Sequence, residues 1–233
     1  MKLPNKPFLI ASEKYWKRAH TYRQERLNRW RKVGSPERIH KWELLRDEAS
    51  QNLMNRRAQL KRYNNTDKPR IITAKQAGLY PASVFGQLGP ERKATPHYAA
   101  SPRARNLAEG ITLARGFDRF HRGKGWGGLS YHYCIPDTGE IICGRSTLHK
   151  GAHVANMNAG NIGINFFCTT GHEPTEAQKK SAQWLIANAH TSAMPKLHRT
   201  DLDLRKADIR GHNQWPGQST GCPGNFTPRK LGV

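Results

Sequence analysis

The stretch Gly211 to Gly224, GHNQWPGQSTGCPG, constrains the fold most. Its density of glycine and proline excludes a helix. Pro216, Gly217, Pro223 and Gly224 favour a tight curl, because proline sets φ and glycine admits positive φ. The curl carries His212 and Cys222 with nine residues between them. A neutral imidazole and a thiolate are both good zinc donors. Alone, such a pair on a loop is more often metal-free than metal-bound, so its meaning depends on what else the fold brings to it.

The chain is 233 residues long, enough for one or two domains. It carries 39 Lys and Arg against 17 Asp and Glu, a formal charge of +22. Residues 1–90 hold 20 basic and 7 acidic side chains, the denser share. Such a field favours a polyanionic partner: nucleic acid, anionic lipid or an anionic cell envelope. No apolar run approaches the roughly 20 residues that cross a bilayer. The start of the chain, with one short apolar patch from Phe8 to Ala11, does not read as a secretion signal. Four cysteines are too few for a disulfide scaffold. Cys134 and Cys143 are expected to face each other across a hairpin turning at Thr138-Gly139. A bridge is feasible there, and two buried thiols are the preferred state in a reducing compartment.

Residues 12–33 read as a helix with Ser12 as N-cap, and Trp16, Ala19, Leu27 and Trp30 on one face. Gly34-Ser35-Pro36 ends it and starts a second helix, with Ile39, Trp42, Leu45, Ala49, Leu53 and Leu60 as its stripe. The organisation expected is a basic helical hairpin region over 1–69 for anchoring or assembly, a linker over 70–92, and a single α/β domain over 93–233. In that last part strands alternate with helices. ATPHYAASP predicts a strand carrying His97, and Ser101-Pro102 the start of a helix. LSYHYCI and EII predict a hairpin, and NIGINFF a strand buried on both faces. Pro174 to His190 predicts a helix with Thr175 as N-cap and Gln178 three residues on. The fold class is α/β, with a mixed central β-sheet flanked by helices.

Adding His97 to His212 and Cys222 gives two imidazoles and one thiolate. Three protein donors leave one tetrahedral position open, the pattern of catalytic rather than structural zinc. SYHYCIPDTGEIICGR, KGAHVANMNAGNIGINF and GHNQWPGQSTGCPG, in that order, resemble the successive signatures of type 2 N-acetylmuramoyl-L-alanine amidases. That superfamily includes phage lysins and the peptidoglycan recognition proteins. The resemblance covers about residues 93–230 and does not extend to the first 90 residues.

The resemblance implies Zn2+ held by His97, His212 and Cys222, with Tyr131 beside the metal as a catalytic hydrogen-bond donor. It also implies Thr220 as a second catalytic group, at a position occupied by lysine in some phage members. His153 and Asn158 match positions that line the substrate groove in relatives. Trp126 is a candidate for stacking on sugar or peptide, and Arg145 for binding a stem-peptide carboxylate or capping the groove. Asn165 stands where some relatives carry a glutamate base, so that base is missing here. His132 is expected to be a packed or surface histidine, and His121 a cation at a helix C-terminus.

The function so implied is zinc-dependent hydrolysis of the amide between N-acetylmuramic acid and L-alanine in bacterial peptidoglycan. The alternative is a non-catalytic peptidoglycan-binding module. The setting expected is a phage lysin, either an endolysin in the host cytoplasm that reaches the cell wall at lysis or an enzyme carried on the virion. Residues 1–69 would then meet an anionic envelope polymer or virion proteins, with nucleic acid the less favoured partner.

Overall fold

The computed structural model describes residues 6–66, 68–79, 81, 86–90, 92–195 and 201–233. It divides into two compact units, residues 1–68 and 69–233. The first unit is a pair of helices, α1 (Lys6–Val33) and α2 (Pro36–Thr66). Gly34, at φ 74°, makes the turn between them. Helix α1 starts before Ser12, which lies inside it rather than capping it. Leu27 and Ala49 are fully buried between the helices, and Leu53 nearly so. Arg23 pairs with Glu48, Arg31 with Glu43 and Arg57 with Glu13 across the hairpin. These pairs are part-exposed and add a few tenths of a kcal/mol each, on the order of other surface pairs.

The second unit holds a six-stranded sheet of order β1-β4-β3-β5-β2-β6. Its strands are β1 (Ile71–Ile72), β2 (Lys93–Tyr98), β3 (Tyr133–Ile135), β4 (Ile141–Cys143), β5 (Asn161–Phe166) and β6 (Asp208–Ile209). All neighbours are parallel except the hairpin pair β3 and β4. Helices α3 (Leu107–Gly123), α4 (Glu176–Asn188) and the single turn α5 (Pro228–Leu231) complete it. The expected mixed sheet flanked by helices is the observed fold. The segment 70–92 is not a linker, because Ile71 and Ile72 add an edge strand against β4 and Leu88 joins the core.

All six residues of β5 are buried. Ile162, Ile164 and Phe166 pack with Ala182, Leu185 and Ile186 of α4. The other face, with Cys134, Ile142 and Phe167, packs under Ala114, Leu107 and Ile111 of α3. Each large apolar side chain so buried contributes about 1.5–3 kcal/mol. Helix α4 begins as read from the sequence, with a Thr175–Gln178 capping box. Helix α3 begins later than expected. Its N-cap is Asn106, whose side chain accepts from the Glu109 amide, rather than Ser101.

Strand β2 tolerates Pro96 because of its bonding parity. Lys93 and Ala99 donate to the carbonyls of Gly160 and Phe166, so odd residues bond towards β5. Even residues bond towards β6, which ends at Ile209 opposite Ala94. Pro96 therefore lacks an N–H where no ladder bond is needed. The β3–β4 hairpin pairs Tyr133 with Cys143 and Cys134 with Ile142. This register is one residue away from the expected one, so Cys134 and Cys143 sit on opposite faces of the sheet. All four cysteines are free and buried.

Candidate active site

Three segments build the site on the α3 face of the sheet. His97 stands near the end of β2, 1% exposed. His212 opens a short 3-10 turn directly after β6, and Cys222 lies at the far end of the same loop. Asn213 N donates to Cys222 O at 2.9 Å, which closes the loop on itself. Gly211 lets the loop ends touch, since a β-carbon there would come within 2.7 Å of Pro223 Cδ. Trp215, which the sequence reading passed over, pins the loop to the sheet. Its indole N–H donates to Thr95 Oγ1 at 2.7 Å, and that hydroxyl donates to Asn161 Oδ1 at 2.9 Å.

The donor atoms of His97, His212 and Cys222 all lie within 4.8 Å of one another. Cys222 Sγ is 3.5 Å from His97 Nδ1. With zinc–sulfur near 2.3 Å and zinc–nitrogen near 2.05 Å, the sulfur–nitrogen edge of a tetrahedron is about 3.6 Å. The donor set and its spacing fit a zinc ion with one position left open. Burial, then His153 and His212, pushes His97 well below the ordinary histidine pKa. Burial also lowers His212, against a hydrogen bond to Gln218 that raises it. Both rings are thus neutral at neutral pH, as metal ligands must be. Burial pushes the Cys222 thiol up to about 12, so in the metal-free protein it keeps its proton.

Tyr131 precedes β3, its ring 5.2 Å from that of His97. Burial, then the thiols of Cys222 and Cys134, raises its phenol well above the ordinary value. It is a neutral donor at neutral pH. Thr220 is exposed, and its Oγ1 accepts from the Cys222 amide at 3.1 Å, leaving its hydroxyl proton to donate. Asn165 is fully buried, in register with His97 across β2 and β5. Its Oδ1 has no hydrogen-bond partner among the described residues, and its Nδ2 is 3.9 Å from Cys134 Sγ. An amide carries no titratable proton, so Asn165 cannot serve as a base.

Several expected groove residues have other places. Arg145 is 1% exposed and donates to the carbonyls of Trp126, Gly128, Leu129 and Lys150. It clamps the 126–129 loop instead of reaching a substrate carboxylate. Asn158 Oδ1 accepts from the amides of His153 and Val154, so it shapes its own loop. His153 is buried behind His97, with its Nδ1 3.0 Å from His97 Nε2. Trp126 is 39% exposed and stacks on His121 at 5.3 Å, which leaves one face and an edge for a ligand. His121 is not a cation. Burial, then Arg145, lowers its pKa to about 4, and its Nδ1 accepts from Ser130 N. Of the two places left open for His132, packed or surface, it takes the packed one, fully buried with Nδ1 accepting from Gly163 N.

The N-acetylmuramoyl-L-alanine amidase family matches residues 89–225. Peptidoglycan-recognition protein SC2 of Drosophila simulans is 30% identical over 130 residues, covering 55% of this chain and 65% of that protein. The chain therefore spans less than two thirds of that relative's length. The bumblebee protein PGRP-SA has a similar fold, with a TM-score of 0.59 at 19% identity over 71% of this chain and 95% of that one. Human PGRP-IBETAC, solved in complex with glycosamyl muramyl pentapeptide, gives a TM-score of 0.57 at 21% identity, over 67% and 91% of the two chains.

Proposed function

The chain belongs to the N-acetylmuramoyl-L-alanine amidase family, and from that premise we propose that it is a zinc-dependent amidase of bacterial peptidoglycan. The bond cleaved is the amide between the lactyl group of N-acetylmuramic acid and the first L-alanine of the stem. The observation that carries the reading is the convergence of His97, His212 and Cys222 beside Tyr131. The family resemblance and the muropeptide bound by the human relative support the substrate class.

A zinc ion held by these three residues supplies Lewis acidity for an amide carbonyl and for water. The remaining chemistry falls to the chain. Tyr131, kept neutral by burial, donates to the oxygen that becomes negative in the tetrahedral transition state. Thr220 donates a second, uncharged hydrogen bond from the loop that carries Cys222. Trp126 offers a stacking surface at the rim. Release of new L-alanine amino termini from purified wall, with and without chelator, tests the reading. Chelator-sensitive release supports it; wall binding with no such release leaves the non-catalytic module.

The setting we propose is a phage lysin acting on the wall at lysis or from the virion, with the helical unit as its anchor. Lys14, Lys17, Arg18, Arg29 and Lys32 share one exposed face of α1, and none forms an ion pair among the described residues. Such a stripe fits an anionic wall polymer. Among the described residues no helix is long and apolar enough to cross a membrane. Binding of the full chain to wall polymer but not to duplex DNA supports the anchor. A steep salt slope on DNA would favour a nucleic-acid role instead.

A further inference from the structure

A neutral imidazole has one N–H and one lone pair. A histidine can ligate only through the nitrogen that lacks the proton, so whatever faces the other nitrogen decides which atom is offered. Both histidines of the candidate metal set have that second nitrogen occupied.

His97 Nε2 is 3.0 Å from His153 Nδ1, and His153 Nε2 is 3.1 Å from the Asn161 carbonyl oxygen. A carbonyl only accepts, so His153 carries its proton on Nε2. Its Nδ1 is then bare and must accept from His97 Nε2–H. That leaves His97 Nδ1, the atom facing Cys222 Sγ, with its lone pair. The His153 ring has little freedom to depart from this pose. A β-carbon at Gly151 would lie 2.4 Å from its Cδ2, and one at Gly163 would lie 2.6 Å away. Two glycines thus make the slot in which the ring sits. Asn158 holds the backbone of the same residue.

His212 has an equivalent arrangement from a different residue type. Its Nε2 is 3.2 Å from Gln218 Oε1. The other end of that amide lies 3.0 Å from Ala155 O and 3.2 Å from Pro216 O. Two carbonyl acceptors identify this end as the NH2 group, which fixes the oxygen towards His212. His212 therefore donates from Nε2 and keeps its lone pair on Nδ1.

We infer that His153 and Gln218 are positioning residues that lock both imidazoles as Nε2–H tautomers, so that each offers Nδ1 to the metal. The inference rests on the zinc reading of the site, yet concerns groups that the ion itself does not touch. Each chain of hydrogen bonds ends on backbone carbonyls, which cannot reverse their polarity. Gln218, through Ala155, also joins the loop of His212 to the loop of His153.

The test is the tautomeric state of His97 and His212 in the full-length, metal-free protein, read from assigned 15N ring resonances. Nε2–H on both is expected; Nδ1–H on either overturns the inference. Zinc affinity, measured by competition with a chelator, gives a second reading. His153→Leu and Gln218→Leu are each expected to weaken zinc binding roughly 10- to 100-fold. His153→Gln, which keeps one acceptor and one donor, is expected to recover most of the loss. Folded leucine variants with wild-type affinity would contradict the inference. If those variants do not fold, the wild-type tautomers decide alone. A wild-type chain with Nε2–H tautomers that takes up no zinc would sink the amidase reading and leave the tautomer assignment standing.

Discussion

Cys222 Sγ lies 3.5 Å from Nδ1 of His97, although 125 residues separate them in the chain. Neither residue has a local reason to be there. His97 is placed by the parallel pairing of β2 with β5, and Cys222 by a loop that Trp215 and Gly211 fasten to the sheet. Two buried donors brought together over that distance are what a metal-ligating site requires and what random packing seldom supplies.

Tyr131→Phe is expected to retain zinc and to lower turnover by roughly 100- to 1000-fold, the usual range for one oxyanion donor. The ring keeps its packing against His97, so the loss should appear in kcat rather than in metal content. Wild-type kcat in this variant would remove Tyr131 from the chemistry.

Zinc uptake near pH 7 is expected to release about one proton per ion. His97 and His212 are already neutral, whereas the Cys222 thiol is held up to about 12 and must lose its proton to ligate. Calorimetric titration in buffers of different ionisation enthalpy counts that proton. Apparent affinity should rise about tenfold per pH unit over the neutral range. No proton release would mean that the thiol is not a ligand.

The metal-free protein is expected to lose stability as pH falls from about 6.5 towards 4. The folded-state pKa of His121 is depressed to about 4, so below 6.5 the unfolded chain binds the proton first. Its contribution is intact above 6.5 and falls through that window. Between pH 7.5 and 5 the loss from this residue is about 1–2 kcal/mol. Urea unfolding at the two pH values measures it, and His121→Phe should show a smaller difference between them. An equal difference would show that His121 is not held neutral.

Much of this site is visible in the residues themselves, because its parts have strong local signatures. The Gly/Pro loop, the Thr175–Gln178 cap and the doubly buried β5 depend on short-range chemistry and appear where the sequence puts them. What the sequence hides depends on neighbours. The two-residue strand β1 is too short to show a period, so 70–92 reads as a linker. The one-residue register shift between Cys134 and Cys143 is set by the hairpin turn and has no compositional mark. Arg145 and His153 have polar side chains that suit a groove, but the carbonyls of Trp126, Gly128 and Leu129 that draw Arg145 inward, and the Gly163 that makes room for His153, come from other segments. Gln218 and Trp215 sit in the most legible loop of the chain, yet their roles follow from partners on other strands and loops.

The central claim is that His97, His212 and Cys222 grip one zinc ion. The most direct measurement is the metal content and X-ray absorption ligand set of the full chain and of Cys222→Ser, after equilibration with zinc and removal of excess. One ion per wild-type chain is expected, with one sulfur and two imidazole nitrogens, and affinity in the serine variant reduced beyond the roughly 100-fold typical of losing an outer-shell partner. A wild-type chain without zinc, or a bound ion indifferent to Cys222→Ser, would contradict the account.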